Sequence, residues 1–175
     1  MTLSQENTAR DYFSLFQFEA TFDLDLDELA QRFRALQLEF HPDRFTDRPA
    51  NERRLAASIS AEINAGFSIL SDPVTRAGYL LVGMGQDLQQ YERAPMSGEF
   101  MMQQIRLREQ LADLNDNNVE ARRALADETA VLLDTEEKQF AAAIERKDTD
   151  SAGICWVKMQ YLSKFQREIA NTVHA

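Results

Sequence analysis

Cysteine is almost missing from this sequence. Cys155 stands alone, which excludes an internal disulfide, a Cys-x-x-Cys redox pair and a cysteine-based zinc site. Histidine is nearly as scarce: His41 and His174 lie far apart, so no metal or cofactor site is expected. With six glycines and four prolines there is too little turn chemistry for an all-β fold. No apolar run approaches the ~20 residues that span a bilayer. Residues 1–10 lack the basic start and apolar stretch of a secretory signal, and they are not Arg-rich like a transit peptide, so the expected location is the cytoplasm. A formal charge of −10 argues against nucleic acid, whose phosphates require a positive field.

Helix formers fill the space those absences leave: Leu, Ala, Glu, Gln and Arg dominate. No internal repeat or low-complexity tract is visible. Gly83, Gly85, Pro95 and Gly98 cluster with polar residues, and every basic side chain before them is arginine while all the lysines follow. This predicts two helical units, residues 1–82 and 97–175, joined by a linker over 83–96.

In the first unit Tyr12 to Phe18 predicts one or two helical turns. Asp25 and Glu28 have capping-box spacing and open a helix through Phe40, with Leu29, Phe33, Leu36 and Phe40 on its inner stripe. Pro42 stops it, because it has no amide hydrogen and disfavours helical geometry at His41. After a polar loop, a helix is expected from Glu52 to Leu70 with Leu55, Ile59, Ile63, Phe67 and Leu70 inward, and a short one over Thr75 to Val82. The second unit predicts three helices, Ser97–Leu114, Val119–Arg146 and Thr149–Val173, turning at residues 115–118 and 147–150. Val119, Ala126, Ala130, Leu133, Phe140 and Ile144 are expected to share the buried face of the middle one. Cys155 falls on the apolar stripe of the last, which predicts a buried, inert thiol with Trp156 in or beside the core. His174 is expected to be frayed and without a role.

One constellation carries function. Phe33-Arg34-x-Leu36-x-x-x-Phe40-His41-Pro42-Asp43-Arg44 is followed by Ile63-Asn64-x-x-Phe67-x-x-Leu70-x-Asp72-Pro73-x-x-Arg76-x-x-Tyr79. His41, Pro42 and Asp43 would sit at the tip between two antiparallel helices. There Pro42 restricts the backbone, Asp43 offers a carboxylate acceptor for a partner arginine, and His41 offers a donor. The pattern resembles the J-domain. The resemblance implies that this turn docks on the ATPase domain of an Hsp70 and biases it toward ATP hydrolysis. It also implies that Arg34, helped by Arg32 and Arg44, touches the same partner. The family usually carries more cations on this helix, whereas here Ala35, Gln37 and Glu39 stand near Arg34. Either the partner surface is less acidic or the affinity is lower.

The sequence continues Tyr79-Leu80-Leu81, with neither a Gly/Phe-rich linker nor a cysteine-rich module, and those three side chains would bury against the second unit to fix a rigid L. With an acidic linker and a three-helix bundle, this resembles the HscB type of J-domain co-chaperone over nearly the whole chain. The first bundle helix has two apolar stripes at helical spacing. Phe100, Leu107, Leu111 and Leu114 form one; Met101, Met102, Ile105 and Ala112 form the other, flanked by Glu109 and Asp113. One stripe suffices for burial, so the methionine-rich one is expected to be exposed. The resemblance implies that Met101, Met102, Ile105, Glu109 and Asp113, with Tyr161 from the last helix, bind an IscU-type iron–sulfur scaffold protein for delivery to an HscA-type Hsp70. Arg106 departs from the family pattern, which commonly has an acid there. The alternatives are a J-domain co-chaperone with a different client, or an enzyme using His41 and Asp43 as acid and base. No third polar group or phosphate loop accompanies that pair, so no enzymatic activity and no catalytic residue is expected.

Overall fold

The computed structural model describes residues 11–114 and 118–171. His174, expected to be frayed, the outer end of the last apolar stripe at Val173 and most of the 115–118 turn lie outside them. Among the described residues the chain is all helix, with no strand. It divides into two compact units, residues 1–76 and 77–175. A helix runs through that division.

In the first unit α1 (Tyr12–Leu15) is capped by Asp11, whose carboxylate accepts from the Phe13 amide at 3.1 Å. Gln17, with φ of 59°, turns the chain out of it. The long hairpin is α2 (Leu26–Phe40) and α3 (Ala50–Ser71), bridged by a 3₁₀ turn at Pro42–Phe45. Asp25 caps α2 as its spacing predicts, accepting from the Glu28 amide at 2.9 Å. The hairpin is antiparallel in register: Phe33 stacks on Phe67 with centroids 4.1 Å apart, and Gln37 donates to Asn64 at 2.7 Å. A Cβ at Gly66 would meet the Tyr12 ring at 2.8 Å, so a missing side chain on α3 seats α1. Phe13, Phe16, Phe22, Leu29, Ala56, Ile63 and Leu70 are buried. Leu55, expected inward, is 62% exposed, and Ala56 and Ser60 take the inner face instead. Near the tip α3 is held to its partner by a small-residue face, which moves the seam one position.

Helix α4 (Pro73–Gly83) begins in the first unit and ends in the second. Its start is capped by Asp72, which accepts from the Thr75 amide at 2.8 Å. Arg76, almost fully buried, donates from Nε to the Phe22 carbonyl at 2.9 Å and from Nη1 to the Leu70 carbonyl. Beyond it Ala77, Leu80 and Leu81 are buried, and Gly78 lets Trp156 approach: a Cβ would lie 2.9 Å from the indole nitrogen.

The stretch expected as linker contains a helix, α5 (Leu88–Arg93), capped by Asp87. The Tyr91 ring covers Gly153 so closely that a Cβ there would lie 2.3 Å from it. The bundle is α6 (Gly98–Ala112), α7 (Val119–Glu145) and α8 (Thr149–Asn171). Ser97 caps α6 by accepting from the Phe100 amide at 3.2 Å. Leu107, Leu125, Leu162, Phe165 and Ile169 form the centre, with Leu111, Leu114, Ala126, Leu132 and Leu133 packed around it. On α7 Phe140 is buried as expected and Ala126, Leu133 and Ile144 are half-buried, but Leu125, Thr129 and Ala143 complete the buried face while Val119 and Ala130 are exposed. Thr129 escapes a hydrophobicity count, yet it is fully buried because its hydroxyl donates to the Leu125 carbonyl at 2.7 Å.

Candidate partner-binding sites

At the tip of the hairpin the helical geometry of α2 ends at His41, whose ψ of 130° is extended. Pro42 then opens the 3₁₀ turn, where its fixed φ and missing amide cost nothing. The turn closes on itself: Arg44 N donates to the His41 carbonyl at 3.0 Å, and Thr46 Oγ1 to the Asp43 carbonyl at 3.2 Å. His41 Nδ1 accepts from the Asp43 amide at 3.3 Å, so the neutral ring carries its proton on Nε2. The same Nδ1 lies 3.5 Å from Asp43 Oδ2, and the Asp43 side chain is 85% exposed. His41, Pro42, Asp43 and Arg44 all face solvent. The turn is held by backbone bonds and leaves its carboxylate and imidazole outward, an arrangement for contact with another molecule.

The three arginines differ in what they touch. Arg34 is exposed, and no hydrogen bond or ion pair ties it to another described residue. Arg44 is exposed, but its Nη1 donates to the Leu38 carbonyl at 2.7 Å and so finishes the C-terminus of α2. Arg32 is turned inward: it donates to the carbonyls of Phe16 and Gln17, pairs with Glu28, and lies 4.1 Å above the Phe18 ring. Nothing in the residue pattern of α2 marks this, because the acceptors lie 15 and 16 residues back in the chain.

On α6 one apolar stripe is buried, with Phe100 at 4% and Leu107 at 0% exposure, and the other stands in solvent. Met101, Met102 and Ile105 are 54%, 65% and 48% exposed, and Glu109 and Asp113 beside them are exposed as well. Tyr161, on α8, is half-buried; its ring meets Phe100 edge-on at 5.9 Å, and its hydroxyl accepts from Arg108 Nε at 2.7 Å. That bond, foremost, raises the Arg108 pKa above its already high ordinary value. Helical spacing sets Arg108 in the row of Met101, Ile105 and Ala112, so Tyr161 borders the exposed stripe. Arg108 was not among the residues singled out from sequence; a cation in register with an apolar row was the available signal. Arg106, three residues on from Gln103, pairs with Glu128 of α7 at 2.6 Å.

Cys155 is buried, and burial, followed by the charge of Glu136, pushes its thiol up to about 11. No group of His, Cys, Asp and Glu among the described residues is arranged to hold a metal ion. Among them, too, no helix is long and apolar enough to cross a membrane.

These features define a class: an all-α protein of two units, each presenting an exposed surface suited to binding another protein. Comparison with known proteins places it within that class. The family model of the HSCB C-terminal oligomerisation domain matches residues 96–170. The co-chaperone protein HscB homolog of Neisseria meningitidis serogroup C is 35% identical over 166 residues, covering 93% of this chain and 98% of that relative. The homolog of Neisseria gonorrhoeae is 34% identical over the same length. Among solved structures, chaperone HscB from Vibrio cholerae superposes with a TM-score of 0.81 at 28% identity, covering 91% of this chain and 95% of that one. Human co-chaperone protein HscB gives 0.87 at 25% identity, covering 94% and 83%. The chain belongs to the HscB co-chaperone family.

Proposed function

We propose that this chain binds an IscU-type iron–sulfur scaffold protein through α6 and Tyr161 and delivers it to an HscA-type Hsp70. The His41–Pro42–Asp43 turn docks on that Hsp70 and stimulates its ATPase, with Arg34 and Arg44 beside it and Arg32 bracing α2 from within. The chain acts in the cytoplasm, by contact, without catalysing a reaction or carrying a cofactor. The observation that carries this reading is the second apolar stripe of α6. Met101, Met102 and Ile105 are exposed although the same helix already buries Phe100 and Leu107. Exposed, contiguous, methionine-rich apolar surface is what an adaptable protein-binding patch requires.

The test separates the two surfaces. Replacing Met101, Met102 and Ile105 together by Ser is expected to weaken IscU binding by at least about 100-fold, since buried apolar anchors are each worth ~1–2 kcal/mol or more. Stimulation of HscA in the absence of IscU should stay at the wild-type level. Unchanged IscU affinity would assign the chain a different client.

A further inference from the structure

The exposed face of α2 is poor in cations, and the structure makes it poorer, because Arg32 spends its donors on Phe16, Gln17 and Glu28. Among the described residues Arg34 is the only cation there with no side-chain partner, and Leu38 and Glu39 are exposed toward the tip. A helical run of seven residues, about two turns or ~10 Å of rise, separates Arg34 from His41.

Positive charge is gathered elsewhere at the same end of the hairpin. From Arg44 to Arg54 the chain holds four arginines against two acids, Asp47 and Glu52, in a molecule whose formal charge is −10. All four arginines are exposed. Arg48 lies three residues beyond the end of the 3₁₀ turn, its amide bonded to the Phe45 carbonyl at 3.0 Å. Arg53 and Arg54 stand in the first turns of α3. Among the described residues Arg48 and Arg53 have no side-chain partner, and Arg54 makes only a 3.3 Å bond to the Ala50 carbonyl of its own helix. None of the three supports the fold, in contrast to Arg32 and Arg76.

We propose that Arg48, Arg53 and Arg54 supply most of the positive charge that engages an acidic surface on the Hsp70, a task α2 is too poor in cations to perform. The proposal rests on the reading of the His41–Asp43 turn as the Hsp70 contact. Three exposed guanidinium groups within seven residues of chain after that turn steer an anionic surface toward it, while the turn itself delivers the stimulus. The expected division of labour is therefore affinity and encounter rate from the arginines, and maximal stimulation from the turn.

The experiment measures steady-state ATPase of an HscA-type Hsp70 against concentration of this protein at several salt concentrations. Variants are Arg48→Gln/Arg53→Gln/Arg54→Gln, each of the three singly, the corresponding lysine triple, Arg34→Gln and His41→Gln. The glutamine triple should raise the half-maximal concentration about tenfold at ~50 mM salt and only about two- to threefold at ~0.3 M, with an unchanged plateau. The lysine triple should behave like wild type, and Arg34→Gln should shift the midpoint less than about threefold. The proposal is overturned if the glutamine triple leaves the midpoint in place, or if Arg34→Gln shifts it as far. The underlying reading has its own control: His41→Gln with a wild-type plateau would refute it whatever the arginines do. Because all three arginines are exposed, the single variants keep the comparison usable should the triple fold poorly.

Discussion

Arg108 and Tyr161 join α6 to α8 through one side-chain hydrogen bond, guanidinium Nε to phenol oxygen at 2.7 Å, at the edge of the exposed apolar stripe. The guanidinium also lies 5.5 Å from the Tyr161 ring centroid and 3.9 Å from a Glu168 carboxylate oxygen. Phe100 meets the same ring edge-on, with centroids 5.9 Å apart. A ring fixed this way loses little conformational freedom when a partner covers it. Both groups are partly exposed, so the bond itself contributes modestly. Tyr161→Phe and Arg108→Gln should each weaken scaffold binding about threefold, and the double variant little more than either. Titration calorimetry of the cycle reads the coupling; strictly additive losses would show that the two act separately.

Arg76 presents the opposite case, a cation that belongs to the fold. It is 6% exposed, bonds the Phe22 and Leu70 carbonyls, and sits 5.1 Å from the Phe22 ring centroid. Removing it leaves buried carbonyls without donors. Arg76→Met should destabilise the protein by about 3 kcal/mol, read as a lower urea midpoint. A shift within experimental error would mean water replaces the guanidinium at no cost.

Cys155 predicts a pH dependence. Burial, then the Glu136 charge, raises its thiol from 9.0 to about 11. The folded state therefore favours the protonated thiol, and its contribution to stability is complete below pH 9. Between about pH 9 and 11 the unfolded chain ionises first, so that contribution is lost as pH rises. Urea midpoints of wild type and Cys155→Ala should converge or cross over this interval relative to their separation at pH 8. A constant separation would show that the thiol titrates alike in both states. At pH 8 a thiol reagent should label the native protein only after unfolding.

Helix boundaries were legible wherever a side chain or proline sets them locally: Asp25 opens α2, Pro42 ends it, and Ser97 opens α6. The two stripes of α6 were legible too, because one helix shows both burial patterns at once. Features set by tertiary contact were not. Thr129 and Ala143 face inward on α7 while Val119 and Val131 face out, since the facing residues of α8 decide which side closes. The glycine- and proline-flanked stretch 83–96 carries α5, whose place depends on Tyr91 finding Gly153. Likewise the chain pattern of α2 shows Arg32 and Arg34 as equivalent, and only the carbonyls of Phe16 and Gln17 distinguish them.

The exposed His41–Asp43 turn is the feature on which the proposed activity depends. Among the described residues its imidazole has polar contacts only within the turn, to the Asp43 amide and carboxylate, so replacing it removes a surface and little structure. His41→Gln should abolish stimulation of the Hsp70 ATPase while helical circular dichroism and IscU affinity stay at wild-type values. Undiminished stimulation by this variant would contradict the account, and so would loss of activity accompanied by an equal loss of helix.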